Sequence, residues 1–205
     1  MRWFVNMKTI NKLLLVFVLI SAFIIAVGLV GRHYMGQIVD NMNYMYDKNL
    51  LPIQDLGQAS RSMEAIRGDL WQVAARPSPP EIKSAFADID ENFAVIDKVL
   101  DEYGRDGSLL TPQDREYYRA TVENVSAYRS NVDRFKIYVN GAQKDGGQAF
   151  SEKELTASRI AAQQAMQKLV DFNRQQAEEK MQSSRDDFNK ANQNMLLILI
   201  ITCSG

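Results

Sequence analysis

LPIQDLGQASRSMEAIRGDL, residues 51–70, carries apolar side chains at Leu56, Ala59, Met63, Ile66 and Leu70, and the series continues to Val73. Steps of three and four residues return to one face of an α-helix, so the stretch predicts an amphipathic helix with a single packing face. Arg61 and Arg67 interrupt it. With the core direction taken from Leu56, Met63, Ile66 and Leu70, and ~100° per residue, Arg67 lies about 70° from that direction and Arg61 about 170°. Arg67 can therefore edge a core, whereas Arg61 points to solvent or to a partner subunit.

The same 3-4 spacing recurs in three further segments. One holds Ile82, Phe86, Ile89, Phe93, Ile96, Leu100 and Tyr103; the next Tyr118, Val125, Tyr128, Val132, Phe135, Val139 and Ala142; the last Leu155, Ser158, Ala162, Ala165, Leu169, Phe172 and Gln176. Such stripes pack helices nearly parallel with a slight left-handed twist. The segments are parted by RPSPP at 76–80, by YGRDGSLLTPQD at 103–114 and by KDGGQAFSEKE at 144–154. Thr111 before Pro112 is a helix N-cap with proline at the first position, and Ser151 with Glu154 has capping-box spacing. No period-2 run marks a strand. The predicted fold class is all-α: an up-down-up-down four-helix bundle flanked by transmembrane helices.

The flanks come from two apolar runs. LLLVFVLISAFIIAVGLVG, residues 13–31, holds no charge over 19 positions, which at ~1.5 Å per residue approaches the hydrocarbon thickness of a bilayer. It is longer than the apolar region of a cleaved signal peptide, and no clean cleavage site follows Gly31. Arg2, Lys8 and Lys12 precede it, so residues 1–12 are expected in the cytoplasm and residues 32–194 outside, as a periplasmic ligand-binding domain. The chain closes on NMLLILIITCSG. Residues 195–205 are too few to span a bilayer and are expected to begin a second, truncated transmembrane helix.

Charge and chemistry exclude several classes. The net charge is −1, and the +3 of residues 1–12 leaves −4 on residues 13–205. That balance offers no basic footprint for nucleic acid. One histidine (His33) and one cysteine (Cys203) cannot form a zinc site or a thiol dyad, and a single histidine cannot supply paired Glu-x-x-His motifs. DEYGRDGSL at 101–109 lacks the alternating ligands and closing glutamate of a calcium loop. No phosphate-binding glycine motif appears. No catalytic residue, metal or cofactor is expected.

Arginine suits carboxylate recognition, because guanidinium forms two parallel charge-assisted hydrogen bonds. Counting equal depths from the proline turn and the Gly-Gly turn brings Arg67, Tyr138, Ser158 and Arg159 to one level, beside Phe86, Ile89 and Asp90. Small core residues there, Ser158, Ala162 and Ala165, leave space unless Phe135, Trp71 and Met166 fill it. The expected ligand is a small carboxylate, an organic acid. Arg67 and Arg159 would hold it, Tyr138 and Ser158 would add neutral hydrogen bonds, and Trp71 or Phe135 would wall the site. Arg61 and Arg134 are further candidates whose ordinary reading is a solvated side chain paired with an acid. Tyr128 faces the core and must find a partner for its hydroxyl.

The run NMKTINKLLLVF, the following anchor, and the stretch YDKNLLPIQDLGQASRSMEAIRGDLW resemble the front half of a bacterial methyl-accepting chemotaxis receptor. The resemblance implies an inner-membrane homodimer that senses a small molecule in the periplasm. It also implies cytoplasmic signalling partners reached through a C-terminal part that this sequence does not include. The same layout resembles input regions of sensor histidine kinases and cyclases, and a ligand-free spacer or partner-docking bundle is the remaining alternative.

Overall fold

All six positions of the opening stripe, Leu56, Ala59, Met63, Ile66, Leu70 and Val73, are buried. A computed structural model describes residues 8–75, 78–105, 111–141 and 151–204. The helices are α1 (Thr9–Met45), α2 (Leu51–Ala74), α3 (Pro79–Gly104), α4 (Pro112–Val139) and α5 (Glu152–Ser204), with a π-helical turn, Tyr46–Leu50, between α1 and α2. There is no strand among the described residues. Ala142, the Gly146-Gly147 pair, Arg76, Pro77, residues 106–110 and residues 1–7 lie outside the described residues, and so do the turns expected there.

The chain divides into two units, residues 47–176 and residues 1–46 with 177–205. The first is the four-helix bundle. Its core takes Leu56, Met63 and Ile66 from α2, Ile89, Phe93 and Ile96 from α3, Val125, Tyr128 and Val132 from α4, and Ala162, Met166 and Leu169 from α5. Successive helices run in opposite directions, giving the up-down-up-down order that short connections favour.

Local sequence sets the helix starts. The Thr111 hydroxyl accepts the Asp114 backbone N–H at 3.1 Å, with Pro112 at the first turn. Ser151 accepts the Glu154 N–H at 3.3 Å, but the Glu154 carboxylate goes to Arg134, also at 3.3 Å. A reciprocal bond of the capping-box kind stands instead at α3, where the Glu81 carboxylate accepts the Ser78 N–H at 2.7 Å and its hydroxyl at 2.6 Å. These bonds hold Glu81 below its ordinary pKa.

Between α3 and α4 two cations fix the register. Arg129 bonds Asp97 at 2.7 Å and stacks over the Phe93 ring, 4.7 Å from its centroid. Lys136 pairs with Asp90 and approaches the Phe86 ring. At the Thr111 end, Tyr103 donates to Asp114 at 2.5 Å and accepts from Asn173 at 2.8 Å. Asp114 and Asn173 are both buried, so this triad ties α3, α4 and α5 through fully partnered polar groups. A Cβ on Gly104 would lie 2.3 Å from the Tyr118 hydroxyl, so glycine allows the tyrosine to stack on Tyr103.

The second unit pairs α1 with the C-terminal part of α5. Asn194 donates to the Tyr34 hydroxyl at 3.1 Å, and Lys180 lies over the Tyr44 ring at 4.8 Å. Leu13, Phe17, Ile24 and Ile25 are exposed, within a stretch long and apolar enough to cross a membrane. In the π turn, Asn49 is fully buried, and its Oδ1 has no partner among the described residues.

Leu169→Ala should lower unfolding stability by about 2–5 kcal/mol, because it empties a central layer. Arg61→Ala, on an exposed face, should change it by less than ~0.5 kcal/mol; denaturant unfolding measures both. Burial outweighs the Tyr103 bond and raises the Asp114 pKa above its ordinary value. The stability linked to this group is full at low pH, where both folded and unfolded carboxyls are protonated. It is lost as pH rises through the folded pKa. Asp114→Asn should therefore lessen the fall in melting temperature between mildly acidic and neutral pH.

Candidate functional site

Helices α2, α4 and α5 line a cavity of about 310 Å³ that is open to solvent on one side. Arg67, Leu70, Trp71 and Ala74 line it from α2, Tyr128 and Phe135 from α4, and Glu152, Leu155, Thr156 and Arg159 from α5. The volume falls within the range of small-molecule sites. On α5 the lining residues are Glu152, Leu155, Thr156 and Arg159; the small residues Ser158, Ala162 and Ala165, expected to leave the space, are not among them. Met166 and Phe135 are buried in the core, whereas Trp71 is 69% exposed and stands at the rim instead of filling the gap.

A polar chain runs along the arginine side of the cavity. Arg67 Nε pairs with Glu64 at 2.9 Å. The same carboxylate accepts a bond from the Gln163 amide, and the Gln163 carbonyl accepts from Arg159 at 2.6 Å. The two arginines thus differ. Arg67 has an anionic partner three residues before it on its own helix. Arg159 has a neutral one, and among the described residues no carboxylate lies within ion-pair distance of it.

Tyr128 is fully buried, and its hydroxyl has no hydrogen-bond partner among the described residues. Burial pushes the phenol pKa up; Arg159 and Arg67 oppose the shift, and Glu64 adds to it. The group is therefore a neutral O–H donor within the electrostatic reach of both guanidiniums. Leaving such a group unpaired in the folded protein costs about 1–3 kcal/mol. The expectation that the Tyr128 hydroxyl must find a partner is unmet among the described residues.

Of the residues expected to form a site, Arg67, Trp71 and Arg159 line one cavity. Tyr138 is exposed; it lies about 90° from the direction in which Tyr128, Val132 and Phe135 point, at ~100° per residue. The Ser158 hydroxyl bonds back to the Leu155 carbonyl at 3.0 Å on its own helix. Arg134 pairs with Glu154 and edges a separate shallow depression with Ser130 and Asn131. Arg61 is exposed and extends beside Gly57. None of these four lines the cavity. Sequence reasoning missed the placement of Tyr128, Glu152 and Thr156 on its wall. The i,i+3 pair Glu64–Arg67 and the i,i+4 pair Arg159–Gln163 carry a spacing signal that would have linked the rim.

No curated protein and no solved structure matches the chain. Residues 6–188 match a family described as the four helix bundle sensory module for signal transduction. The bundle described above is the architecture that this family names, and the match covers most of the sequence. The chain belongs to the four-helix-bundle sensory modules of methyl-accepting chemotaxis proteins.

Proposed function

We propose that this chemoreceptor-type sensor module binds a small carboxylate-bearing molecule, an organic acid, in the cavity between α2, α4 and α5. The observation that carries the reading is the pairing of Arg159, which has no carboxylate partner among the described residues, with the orphaned Tyr128 hydroxyl on the same cavity wall. A carboxylate accepts from Arg159 and, once the helices shift enough to uncover it, from the Tyr128 hydroxyl, which is closed to solvent in this arrangement. Bonds to a charged group contribute about 1.5–3 kcal/mol each, more than neutral ones. Arg67, already neutralised by Glu64, shapes the rim and can exchange partners as the ligand enters.

The module is proposed to work as a membrane-anchored homodimer with the bundle in the periplasm. The apolar stretch at 13–31 supplies the anchor, and the basic residues before it favour a cytoplasmic N-terminus. Output passes to cytoplasmic signalling proteins through helix displacement. The ligand would touch three helices at once and so favour the arrangement in which Arg159 and Tyr128 reach it together. Helix α5 carries Arg159 and continues to Ser204. A shift of an ångström or two along that helix lies within the known repertoire of signalling motions.

Thermal unfolding of the 205-residue chain in detergent, with and without organic acids, tests this reading. A ligand at 100 times its dissociation constant stabilises by about 2.7 kcal/mol, a shift of a few degrees. Arg159→Ala should abolish the shift. Tyr128→Phe should do two opposite things: raise the melting point of the unliganded chain, because an unpaired buried hydroxyl is removed, and shrink the shift with ligand. A melting point that no acid moves would favour the spacer or docking bundle. A shift that persists in Arg159→Ala would move the site elsewhere.

A further inference from the structure

Charge and surface around the cavity narrow the ligand further. Four ionised side chains bear on it: Arg67, Arg159, Glu64 through its bond to Arg67, and Glu152 on the wall itself. Their charges cancel. Only one guanidinium is uncommitted to an acid, so the cavity can neutralise one carboxylate. A second would face Glu152 and Glu64, and like charges at short range oppose its ionised form. Dicarboxylates therefore fit the electrostatics poorly.

The remaining wall is apolar. Leu70, Ala74, Phe135 and Leu155 line it, and Trp71 stands at the rim. Among the described residues of the bundle, Trp71 is the most exposed large hydrophobic side chain, at 69%. An indole left in water beside an apolar cavity gains by stacking on a flat ring. Phe135, buried on the opposing helix, offers a second aromatic surface. Carboxylate donors at one end and aromatic surfaces at the other set the length and polarity of the occupant.

Resting on the carboxylate-sensing reading above, we infer that the cavity selects a monocarboxylate bearing an aromatic ring, its carboxylate on Arg159 and the Tyr128 hydroxyl and its ring between Trp71 and Phe135. The indole makes the inference measurable. The sequence has two tryptophans, Trp3 and Trp71, so Trp3→Phe leaves Trp71 as the sole emitter. The full chain carrying that change, in detergent micelles, is titrated with benzoate, acetate, malate and phenylalanine while Trp71 emission is followed.

Benzoate should give a saturable change in emission and bind at least about tenfold more tightly than malate or acetate, a difference in affinity that a stacked ring readily supplies. Arg159→Ala and Tyr128→Phe should each weaken it, and Glu152→Gln should leave it unchanged or tighten it. Malate binding with Arg159 dependence while benzoate fails would overturn the ring assignment and leave the carboxylate reading standing. Phenylalanine binding more tightly than benzoate, and weakened by Glu152→Gln, would support the ring and carboxylate assignment and add an ammonium group held by Glu152. No response to any of the four, in emission or in melting temperature, would overturn both readings.

Discussion

Leu56, Met63, Ile66, Ile89, Ile96, Val132 and Leu169 are all withdrawn from water, and this shared apolar seam holds the bundle's four amphipathic helices together. Burial of a large aliphatic side chain contributes about 1.5–3 kcal/mol. The ion pairs that join helices, Arg129–Asp97, Lys136–Asp90 and Arg134–Glu154, are partly solvated. Pairs of that kind contribute roughly 0–1 kcal/mol each. The seam therefore supplies the stability, and the Arg129 and Lys136 pairs set the register in which α3 meets α4. A ligand site in such a bundle has to be cut out of the seam, because a helix that loses its apolar face loses its reason to pack.

Polar groups enter the seam at two levels with opposite outcomes. At one end Tyr103, Asp114 and Asn173 satisfy one another, and Thr121 bonds the Tyr117 carbonyl at 2.8 Å. That end is closed chemistry, and its role is to hold three helices together. Near the middle of α4, beside the Phe93 ring, Tyr128 is as deeply buried, yet its hydroxyl has no partner among the described residues. A fold tolerates such a group when something else gains from it, and the proposed ligand is what would gain. On this view the sensor trades stability for a preorganised donor, which is why a single substitution at Tyr128 is expected to move stability and binding in opposite directions.

Helical geometry sorts the arginines, and their neighbours decide what each can do. Arg61 and Arg67 share α2, but the six-residue step between them turns Arg61 away from the core. Arg67 reaches the cavity with an acid already attached, because Glu64 stands one turn before it. Arg134 is held by Glu154. Among the described residues, Arg159 alone of the cavity's two arginines meets only a carboxamide, and the difference rests on Gln163, four residues on, being neutral. One neutral residue at that spacing keeps a guanidinium available for a carboxylate.

Much of the fold was legible from the residues, because a 3-4 spacing has one physical solution: a helix with a single apolar face that must be covered. The stripe in α2 and most of those in α3, α4 and α5 follow from that spacing alone, as do the starts at Thr111 and Ser151 and the membrane-length apolar run. The family assignment drew on the same pattern. What only the tertiary structure decided is which side chains meet across helices. Rotation about a helix axis is readable to within tens of degrees, but depth counted from turns drifts with every uncertain loop residue. That drift brought Tyr138 and Ser158 to the level of Arg67 and Arg159, whereas the cavity lining includes Tyr128 and neither of them. Whether a buried hydroxyl is satisfied depends on atoms from three helices at once, and no one-dimensional pattern carries that information.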